Sequence, residues 1–176
     1  ELLRLFPEKF EITEHRDYAD YVYRVSDLVN LSGKKYHGKR NHLARFYEND
    51  WSFEPITPDN VAECLEMNHR LSVENADTKE DGVLAERCAV RLCLTHMEEL
   101  GCFGGLLRVN GAVAAYTVGE RLNSDTVVVH FEKAFSRIQG AYPAINREFL
   151  SRMCRDYAYV NREEDLGIEG LRRAKE

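Results

Sequence analysis

The chain has 176 residues, 44% of them hydrophobic and 31% charged, with a formal net charge of −6 at pH 7. Such a composition is typical of one soluble globular domain, or of one domain with part of another. It contains no apolar run of the roughly 20 residues that a membrane-spanning helix requires, and its first residues, "ELLRLFPEKF", lack the basic start and long apolar core of a signal peptide. The acidity argues against DNA or other non-specific nucleic-acid binding. We therefore expect a cytoplasmic protein.

The ends of the sequence suggest a piece of a longer protein. The chain lacks an initiator Met and stops on "GLRRAKE" inside a predicted helix. Its five cysteines, an odd number, favour reduced, buried thiols over disulfides. Cys88, Cys93 and His96 have the spacing C-x4-C-x2-H within one predicted helix. Positions i and i+5 diverge around a helix, so we predict packing thiols and no metal site.

The first predicted element is a helix with a concentration of positive charge. The stretch "NLSGKKYHGKRNHLARF", residues 30–46, contains five Lys or Arg residues, two His residues and no acid. We predict a helix that Ser26 opens as its N-cap, with a break near Gly33 and Gly38, because glycine weakens helices. On a helix, Lys35, Lys39 and His42 would share a face.

Two helices are predicted next. "TPDN" opens the helix "VAECLEMNHRLSVEN". A polar connector, "NADTKEDG", precedes the helix "VLAERCAVRLCLTHMEEL", whose apolar face recurs at helical spacing. We predict that Gly101 ends this second helix.

The period then changes from helix to strand. Asn110-Gly111 separates two β-type runs, which predicts a hairpin. A third strand "DTVVVHFEKA", a loop, the helix "AINREFLSRMCRDY", a fourth strand "AYVNRE" and a last helix follow. From about residue 56 the predicted order is α-α-β-β-β-α-β-α. This order indicates an α+β fold in which helices flank a mixed, mostly antiparallel sheet.

The loop before the "AINREF" helix contains Arg137-Ile138-Gln139-Gly140-Ala141-Tyr142. With the preceding strands it resembles the GCN5-related acyltransferase (GNAT) fold, in which a Q/R-x-x-G-x-G/A loop and a helix N-terminus hold the pyrophosphate of coenzyme A. Arg137 and Gly140 match this pattern, whereas Tyr142 replaces its last small residue. The alternative is an ordinary glycine turn before a helix. The resemblance assigns cofactor binding to the loop residues Arg137, Gln139, Gly140, Ala141 and Tyr142.

Four longer blocks carry a closer resemblance. "SGKKYHGKRNHLARF", "LRVNGAVAAYTVGE", "IQGAYPAINREF" and "YVNREEDLGIEGLRRAK" are similar to blocks of the phosphatidylglycerol lysyltransferase C-terminal-like family of bacterial proteins. The resemblance implies two tandem GNAT-like halves. Residues 1–25 would end the first half, and residues 26–50 would form a connecting basic helix. Residues 51–176 would form the second half without its final strand.

The basic stretch has two interpretations. Its like charges repel one another unless something anionic lies opposite. One candidate is the protein's own acidic segment, "NREED". The other is a phosphate-bearing ligand such as the acceptor stem of a tRNA, an acyl carrier or a lipid headgroup. The second interpretation assigns carrier binding to Lys35, Lys39, Arg40, His42 and Arg45.

Polar residues on predicted strands supply the remaining candidates. His130 and Glu132 alternate on one strand, so we expect both on one face, where either could act as a general base. The alternative for His130 is a structural histidine, in the core or on the surface, whose ring nitrogens have ordinary hydrogen-bond partners. Asn161, Arg162, Glu163 and Asp165 lie where a strand ends and a helix begins, a common ligand position, and Asp165 is the expected cap of that helix. Tight packing of this loop is the alternative.

These features predict an acyl- or aminoacyl-transferase that moves its group from a phosphate-bearing carrier to an amine or hydroxyl acceptor. The resemblance implies aminoacyl-tRNA or acyl-CoA as the donor. The competing hypothesis is a non-catalytic binding or regulatory protein on a GNAT scaffold, because a fold does not fix a function.

Overall fold

The computed structural model describes residues 2–7, 9–11, 13–74 and 81–176. The helices are α1 (Leu2–Leu5), α2 (Val25–Asn30), α3 (His37–Phe46), α4 (Val61–Glu74), α5 (Asp81–Thr95), α6 (Ala141–Met153) and α7 (Glu169–Lys175). The strands are β1 (Asp20–Arg24), β2 (Trp51–Pro55), β3 (Cys102–Val109), β4 (Ala112–Arg121), β5 (Thr126–Ala134) and β6 (Tyr159–Glu164). Short 3-10 turns cover Arg16–Tyr18 and Lys34–Tyr36.

The chain divides into two compact units. The larger unit comprises Val22–Arg162, and the smaller unit comprises Glu1–Tyr21 with Glu163–Glu176. The division of the chain into residues 1–25, 26–50 and 51–176 is a separate prediction about two tandem halves, and it stays a prediction.

One six-stranded sheet has the strand order β1-β6-β5-β4-β3-β2. The strands β2 to β5 pair as antiparallel neighbours, whereas β5 and β6 pair in parallel. The predicted α+β class with a mixed, mostly antiparallel sheet is confirmed. The hairpin at Asn110-Gly111 is confirmed as well. Both residues have positive φ, 51° and 80°, as a two-residue hairpin turn with the twist of its strands requires.

Helices cover both faces of the sheet. On one face α2, α3 and α6 bury a core that includes Leu28, Phe46 and Phe149. On the other face α4 and α5 bury a second core around Met67 and Tyr116. The apolar residues that recur at helical spacing in these five helices therefore face the sheet, as the sequence predicts.

Several predicted boundaries are wrong. Arg24, not Ser26, occupies the N-cap of α2. The helix α5 ends at Thr95, and turns connect it to Gly101. The predicted break is confirmed at Gly33, since a 3-10 turn follows it and α3 begins at His37, whereas Gly38 lies inside α3. Residues 75–80 of the polar connector lie outside the described residues.

A β-bulge interrupts β5 at His130. Val118 of β4 lies opposite Phe131, and the next residue, Gly119, lies opposite Val129, so His130 is the extra residue of the bulged strand. A bulge of this kind breaks the two-residue alternation of a strand. Phe131 packs with the α4–α5 core, whereas Glu132 contacts α6.

Candidate functional site

The strands β5 and β6 pair over three positions, Thr126–Val128 against Tyr159–Asn161. We call the region beyond these pairs the β5–β6 fork. Glu132 lies four residues past the last paired position of β5. Because the bulge at His130 adds a residue without advancing the register, this is about 10 Å along the strand at 3.3 Å per residue. Arg162 lies one residue past the last paired position of β6. The long side chain of Arg162 bridges the fork to Glu132.

Three side chains form the fork cluster, defined as Glu132, Asn146 and Arg162. Arg162 Nη2 donates to Glu132 Oε1 over 2.8 Å, and Asn146 Nδ2 donates to Glu132 Oε2 over 2.9 Å. The side chains of Arg162 and Glu132 are only 15% and 12% exposed. Both carboxylate oxygens of Glu132 are therefore engaged in a place with little water.

Lys39 of α3 belongs to the same electrostatic group. Burial lowers the pKa of Lys39, the positive charges of Arg162 and Lys35 lower it further, and the carboxylate of Glu132 raises it. Lys35 and Lys39 also lie above one aromatic ring, that of Tyr36, at 4.6 and 5.9 Å from its centroid. The charge of one lysine of the basic stretch is thus coupled to the charges of the fork cluster.

His130 lies apart from Glu132. Its Nε2 is 3.3 Å from Glu120 Oε1, and the His130 side chain is 27% exposed. Since the bulge turns His130 and Phe131 away from the α6 side, the expectation that His130 and Glu132 share a face is wrong. The two candidate bases therefore occupy different surroundings, one beside a carboxylate and the other beside a guanidinium.

A second candidate site is an open cleft of about 700 Å³ at the sheet edge where β5 ends. We call it the arginine cleft. It joins one end of the basic stretch to the loop before α6, since Arg45 lines it together with Arg137 and Gln139. The remaining lining residues are Glu48, Asn49, Val109, Asn110 and Ile138.

Both arginines of the arginine cleft also have carboxylate partners. Arg45 pairs with Glu48 at 3.4 Å, and Arg137 pairs with Glu74 at 2.5 Å. All four side chains are about half exposed or more, so these pairs contribute little stability and can open at small cost.

Close packing against α3 leaves no room for a side chain at Gly140. Its φ is +79°, and a Cβ placed there would lie 2.1 Å from the backbone oxygen of His42. The helix α3 therefore covers this side of the loop that the sequence offers as a pyrophosphate cradle. Ala141 is buried, and Tyr142 is 44% exposed.

The other predicted carrier-binding residues differ in their surroundings. Arg40 donates to the backbone oxygens of Leu31 and Gly33 at 2.5 and 2.8 Å, so it closes the break between α2 and α3. The His42 side chain is exposed.

The predicted cleft residues at the end of β6 separate. Asn161 is buried opposite Val128, and Arg162 joins the fork cluster. Asp165 accepts hydrogen bonds from Arg172, from Tyr21 at 2.5 Å and from the Gly167 N–H within the smaller unit. These bonds lower the pKa of Asp165, with Arg172 the main cause.

Asp165 is not the cap of α7, because Ile168 occupies that position. Glu163 has a φ of 53°, the left-handed region, at the end of β6.

Sequence reasoning missed Asn146. The signal for it is weak but present: Asn146 and Glu148 fall among apolar residues in "AINREFLSRM", and both are buried in α6. Polar residues on the buried face of a helix need specific partners. Asn146 donates a hydrogen bond to Glu132, and Glu148 accepts hydrogen bonds from Tyr47 at 2.6 Å and from Arg152 at 2.8 Å.

Two further features of the described residues concern metal ions and membranes. In those residues, no three side chains of His, Cys, Asp or Glu gather where they could hold a metal ion. None of the described helices has the length and apolar character needed to cross a bilayer.

The order of elements around the fork defines the class of fold. An antiparallel hairpin, a third antiparallel strand, a helix and then a parallel strand form the core of the GNAT fold, and this chain has that fold. Over residues 1–176 the chain matches the family model "Phosphatidylglycerol lysyltransferase, C-terminal", and it belongs to that family.

Solved structures agree with this assignment. A conserved protein of unknown function from Bacteroides thetaiotaomicron is 48% identical, with a TM-score of 0.94 over 99% of this chain and 60% of that one. The C-terminal domain of a putative lysylphosphatidylglycerol synthetase from Agrobacterium fabrum is 14% identical, with a TM-score of 0.55 over 84% of this chain and 46% of that one.

L-PGS from Bacillus licheniformis is similar to the same degree, with 14% identity and a TM-score of 0.55 over 86% of this chain and 48% of that one. The chain thus spans between about half and three fifths of the length of these relatives. A comparison with curated proteins finds no match.

Proposed function

We propose that this chain is part of an aminoacyltransferase that moves an aminoacyl group from a phosphate-bearing carrier to an amine or hydroxyl acceptor at the β5–β6 fork. The observation that carries the proposal is the fork itself. Two parallel strands stop pairing after three residues, and a group of charged and amide side chains lies where they part. Ligands of α/β proteins collect at such interruptions of a sheet. Family membership supports the reaction type.

The packing of Gly140 supports aminoacyl-tRNA over coenzyme A as the donor. Pyrophosphate binding at a glycine loop requires the backbone N–H groups to be open to the ligand. Here the backbone of α3 lies against Gly140, close enough that a single methyl group would collide with His42. A carrier bound elsewhere on the surface avoids this obstruction.

The arginine cleft is the proposed binding site for the phosphates of the carrier. Arg45 and Arg137 come from two segments that the sequence marks for phosphate binding, and they line one open cleft. Arginine binds phosphate through charge and directed N–H donors. A tRNA end that contacts this cleft would lie at the sheet edge where β5 ends.

His130 is the proposed proton acceptor, since it lies two residues past the last paired position of β5 and therefore within the β5–β6 fork. The acceptor's nitrogen or oxygen attacks the ester carbonyl and gives its proton to His130 Nδ1, because Nε2 faces Glu120. The bond to the carrier's oxygen then breaks, and that oxygen takes the proton from His130. Glu120, 3.3 Å away, would stabilise the imidazolium that forms. Glu132 is less suited to this role, because both of its oxygens already accept hydrogen bonds.

The compartment and the acceptor belong to the same proposal. All five cysteines are free thiols, which supports a reducing compartment such as the cytoplasm. A lipid headgroup is the acceptor that the family name suggests for this chain.

The experiment is a transfer assay on the longest natural chain that contains this sequence. Lysyl-tRNA with labelled lysine would be offered together with vesicles that contain phosphatidylglycerol, and with small amines. We expect labelled product from the wild type and a loss of roughly 100-fold or more with His130→Gln, the usual size of a general-base effect.

His96→Gln is the matched control, because His96 also pairs with a carboxylate, Glu99 at 2.9 Å, on an exposed turn. We expect wild-type activity from it. If no carrier transfers its group and none raises the melting temperature, the transferase proposal fails and a non-catalytic binding protein replaces it.

A further inference from the structure

We propose that Cys93 and Cys102 form a redox modification site, at which a peroxide converts the two thiols into a reversible disulfide. Cys93 lies two residues before the end of α5, and Cys102 is the first residue of β3. The new bond would join the helix covalently to the sheet. The inference goes beyond the proposed function and does not rest on it.

The contact between the two sulfur atoms carries the argument. The thiol of Cys93 donates a hydrogen bond to Cys102 Sγ over 3.8 Å. A disulfide is close to 2 Å long, so the two sulfur atoms have to approach by about 1.8 Å. Rotations about the two Cα–Cβ bonds move sulfur atoms over such distances. The bond can therefore form through side-chain rotation.

The two thiols differ in their access to solvent. Cys93 is only 7% exposed, whereas Cys102 is half-buried at the start of its strand. A peroxide therefore reaches Cys102 first, and Cys93 lies behind it as the thiol that resolves the oxidised product. An accessible cysteine beside a resolving cysteine is the usual arrangement of a redox-sensing pair. By contrast, Cys64 and Cys154 are fully buried, and Cys88 is exposed.

The pKa values of the two thiols determine how readily the site reacts. Burial raises the pKa of Cys102, and the hydrogen bond from Cys93 lowers it. Burial raises the pKa of Cys93 to about 12, and the carboxylate of Glu120, opposite Cys102 in the β3–β4 pairing, raises both values. Since the thiolate is the reactive form, both thiols react slowly near pH 7. The pair therefore stays reduced until a peroxide persists in excess.

Hydrogen peroxide supplies the oxidising equivalents for the bond. The sulfur of Cys102 attacks one peroxide oxygen, the O–O bond breaks, and Cys102 becomes a sulfenic acid while its proton leaves in a first water. The sulfur of Cys93 then attacks the sulfenic sulfur and the S–O bond breaks. The departing hydroxide takes the proton of Cys93 and leaves as a second water. The two thiols lose two electrons, and the peroxide gains them.

The test is to treat the longest natural chain that contains this sequence with excess hydrogen peroxide, and then to alkylate its remaining thiols with iodoacetamide in denaturant. Trypsin leaves both cysteines in one peptide, residues 92–108, whereas a protease that cuts after Glu98 and Glu99 separates them. Only a disulfide then holds the two fragments together. We expect mass spectrometry to show this linked pair and the loss of alkylation at Cys93 and Cys102. Dithiothreitol should restore alkylation at both.

Cys88→Ser is the matched control, because it removes an exposed thiol from the same helix. It should leave the linkage unchanged. Cys102→Ser should abolish the linkage and leave Cys93 open to alkylation after the same treatment. Should Cys102→Ser fail to fold, Cys93→Ala replaces it, and Cys102 should then gain oxygen without forming the linkage.

The absence of the linked pair after peroxide treatment, or equal amounts of linkage from Cys102 to Cys64 or Cys88, would overturn the inference. Equal oxidation of Cys93 in the wild type and in Cys102→Ser would overturn it as well, because Cys102 would then not be the thiol that reacts first. The assay uses no carrier and no acceptor, so its outcome is independent of the transferase proposal.

Discussion

Gly140 is a residue whose identity is set by its neighbours. Its φ of +79° and the His42 backbone oxygen, 2.1 Å from where an added methyl group would lie, are two separate obstacles to any side chain. We expect Gly140→Ala to lower the free energy of unfolding by about 3 kcal/mol, through left-handed strain plus overpacking. Urea denaturation monitored by circular dichroism measures the change.

Gly111→Ala separates these two costs. Gly111 has a nearly equal φ of +80°, but nothing lies within 4 Å of the added Cβ. Only the backbone strain remains, so we expect a loss of about 1–2 kcal/mol. Equal losses at both positions would show that α3 does not press on Gly140.

Glu148 gives a prediction that depends on pH. Burial would raise the pKa of Glu148, but hydrogen bonds from Tyr47 and Arg152 outweigh it, and the pKa is lowered. A lowered pKa stabilises the fold above the unfolded value of about 4.3 and loses that effect as the pH falls through the folded value. We expect Glu148→Gln to destabilise the protein by about 3 kcal/mol at pH 7, and the gap from wild type to narrow below about pH 4.

The stability of the two proteins, measured by urea titration at pH 7 and pH 3.5, checks the sign. Glu164→Gln, an exposed glutamate near the end of β6, serves as a control that should change stability little at either pH. A gap that widens toward acid would contradict the assignment of Glu148 as a charged, hydrogen-bonded carboxylate.

At this scale the sequence predicts residue types better than residue partners. It marks Lys39, Glu132 and Arg162 as candidates, but in three different sets. Long-range side-chain bonds such as Asn146 to Glu132 depend on how α6 lies on β5, which no local pattern records.

At the scale of elements, β5 shows where pattern reasoning fails. Alternation predicts that His130 and Glu132 point the same way, and it holds wherever a strand is regular. The one extra residue at His130 moves every later side chain of the strand to the opposite face of the sheet from the one that simple alternation predicts. β5 contains no Gly or Pro that would indicate the bulge, so its sequence has the pattern of a regular strand. The sequence also does not predict β2, because "WSFEP" is short and half polar.

The smaller unit contains one carboxylate that is buried and hydrogen-bonded on several sides, that of Asp165. Asp165 is almost fully buried and takes bonds from Arg172 and Tyr21, which lower its pKa. Its contribution is complete above the unfolded pKa, about 4, and is lost as the pH falls toward the folded value. We expect the ring signals of Tyr21 in NMR spectra to move toward unfolded positions in acid, before the rest of the protein unfolds.

Asp165→Asn should produce the same change in the Tyr21 signals at pH 7. Asp17→Asn is the matched control, since Asp17 is 64% exposed and contacts Arg172 only at 3.3 Å. It should leave those signals in place. Unchanged Tyr21 signals in the Asp165 variant would mean that this carboxylate does not hold the unit together.

For the whole molecule, the arginine cleft makes a prediction about salt. Each phosphate that an arginine neutralises adds about 0.7–0.9 to the slope of log affinity against log salt. We expect Arg45→Gln with Arg137→Gln to weaken tRNA binding and to flatten that slope by about 1.5, measured by filter binding across a salt series. Arg91→Gln with Arg121→Gln, two exposed arginines outside the arginine cleft, should keep the wild-type slope.

The order of the sheet was predictable only in part. The hairpin at Asn110-Gly111 and the alternating helices and strands fix the antiparallel neighbours β3, β4 and β5, because short connections leave few alternatives. The sequence does not predict the position of β1 beside β6, since this position depends on a contact between distant parts of the chain.

That placement has a consequence for how the protein forms as it is synthesised. The strands β3, β4 and β5 can pair with one another as soon as they emerge, because their contacts are local. Within this sequence β1 is made early, yet its neighbour β6 is made late. Throughout most of the interval between them, β1 therefore lacks the strand beside which it lies in the folded sheet, and exposed strand edges of this kind are segments that chaperones protect from aggregation.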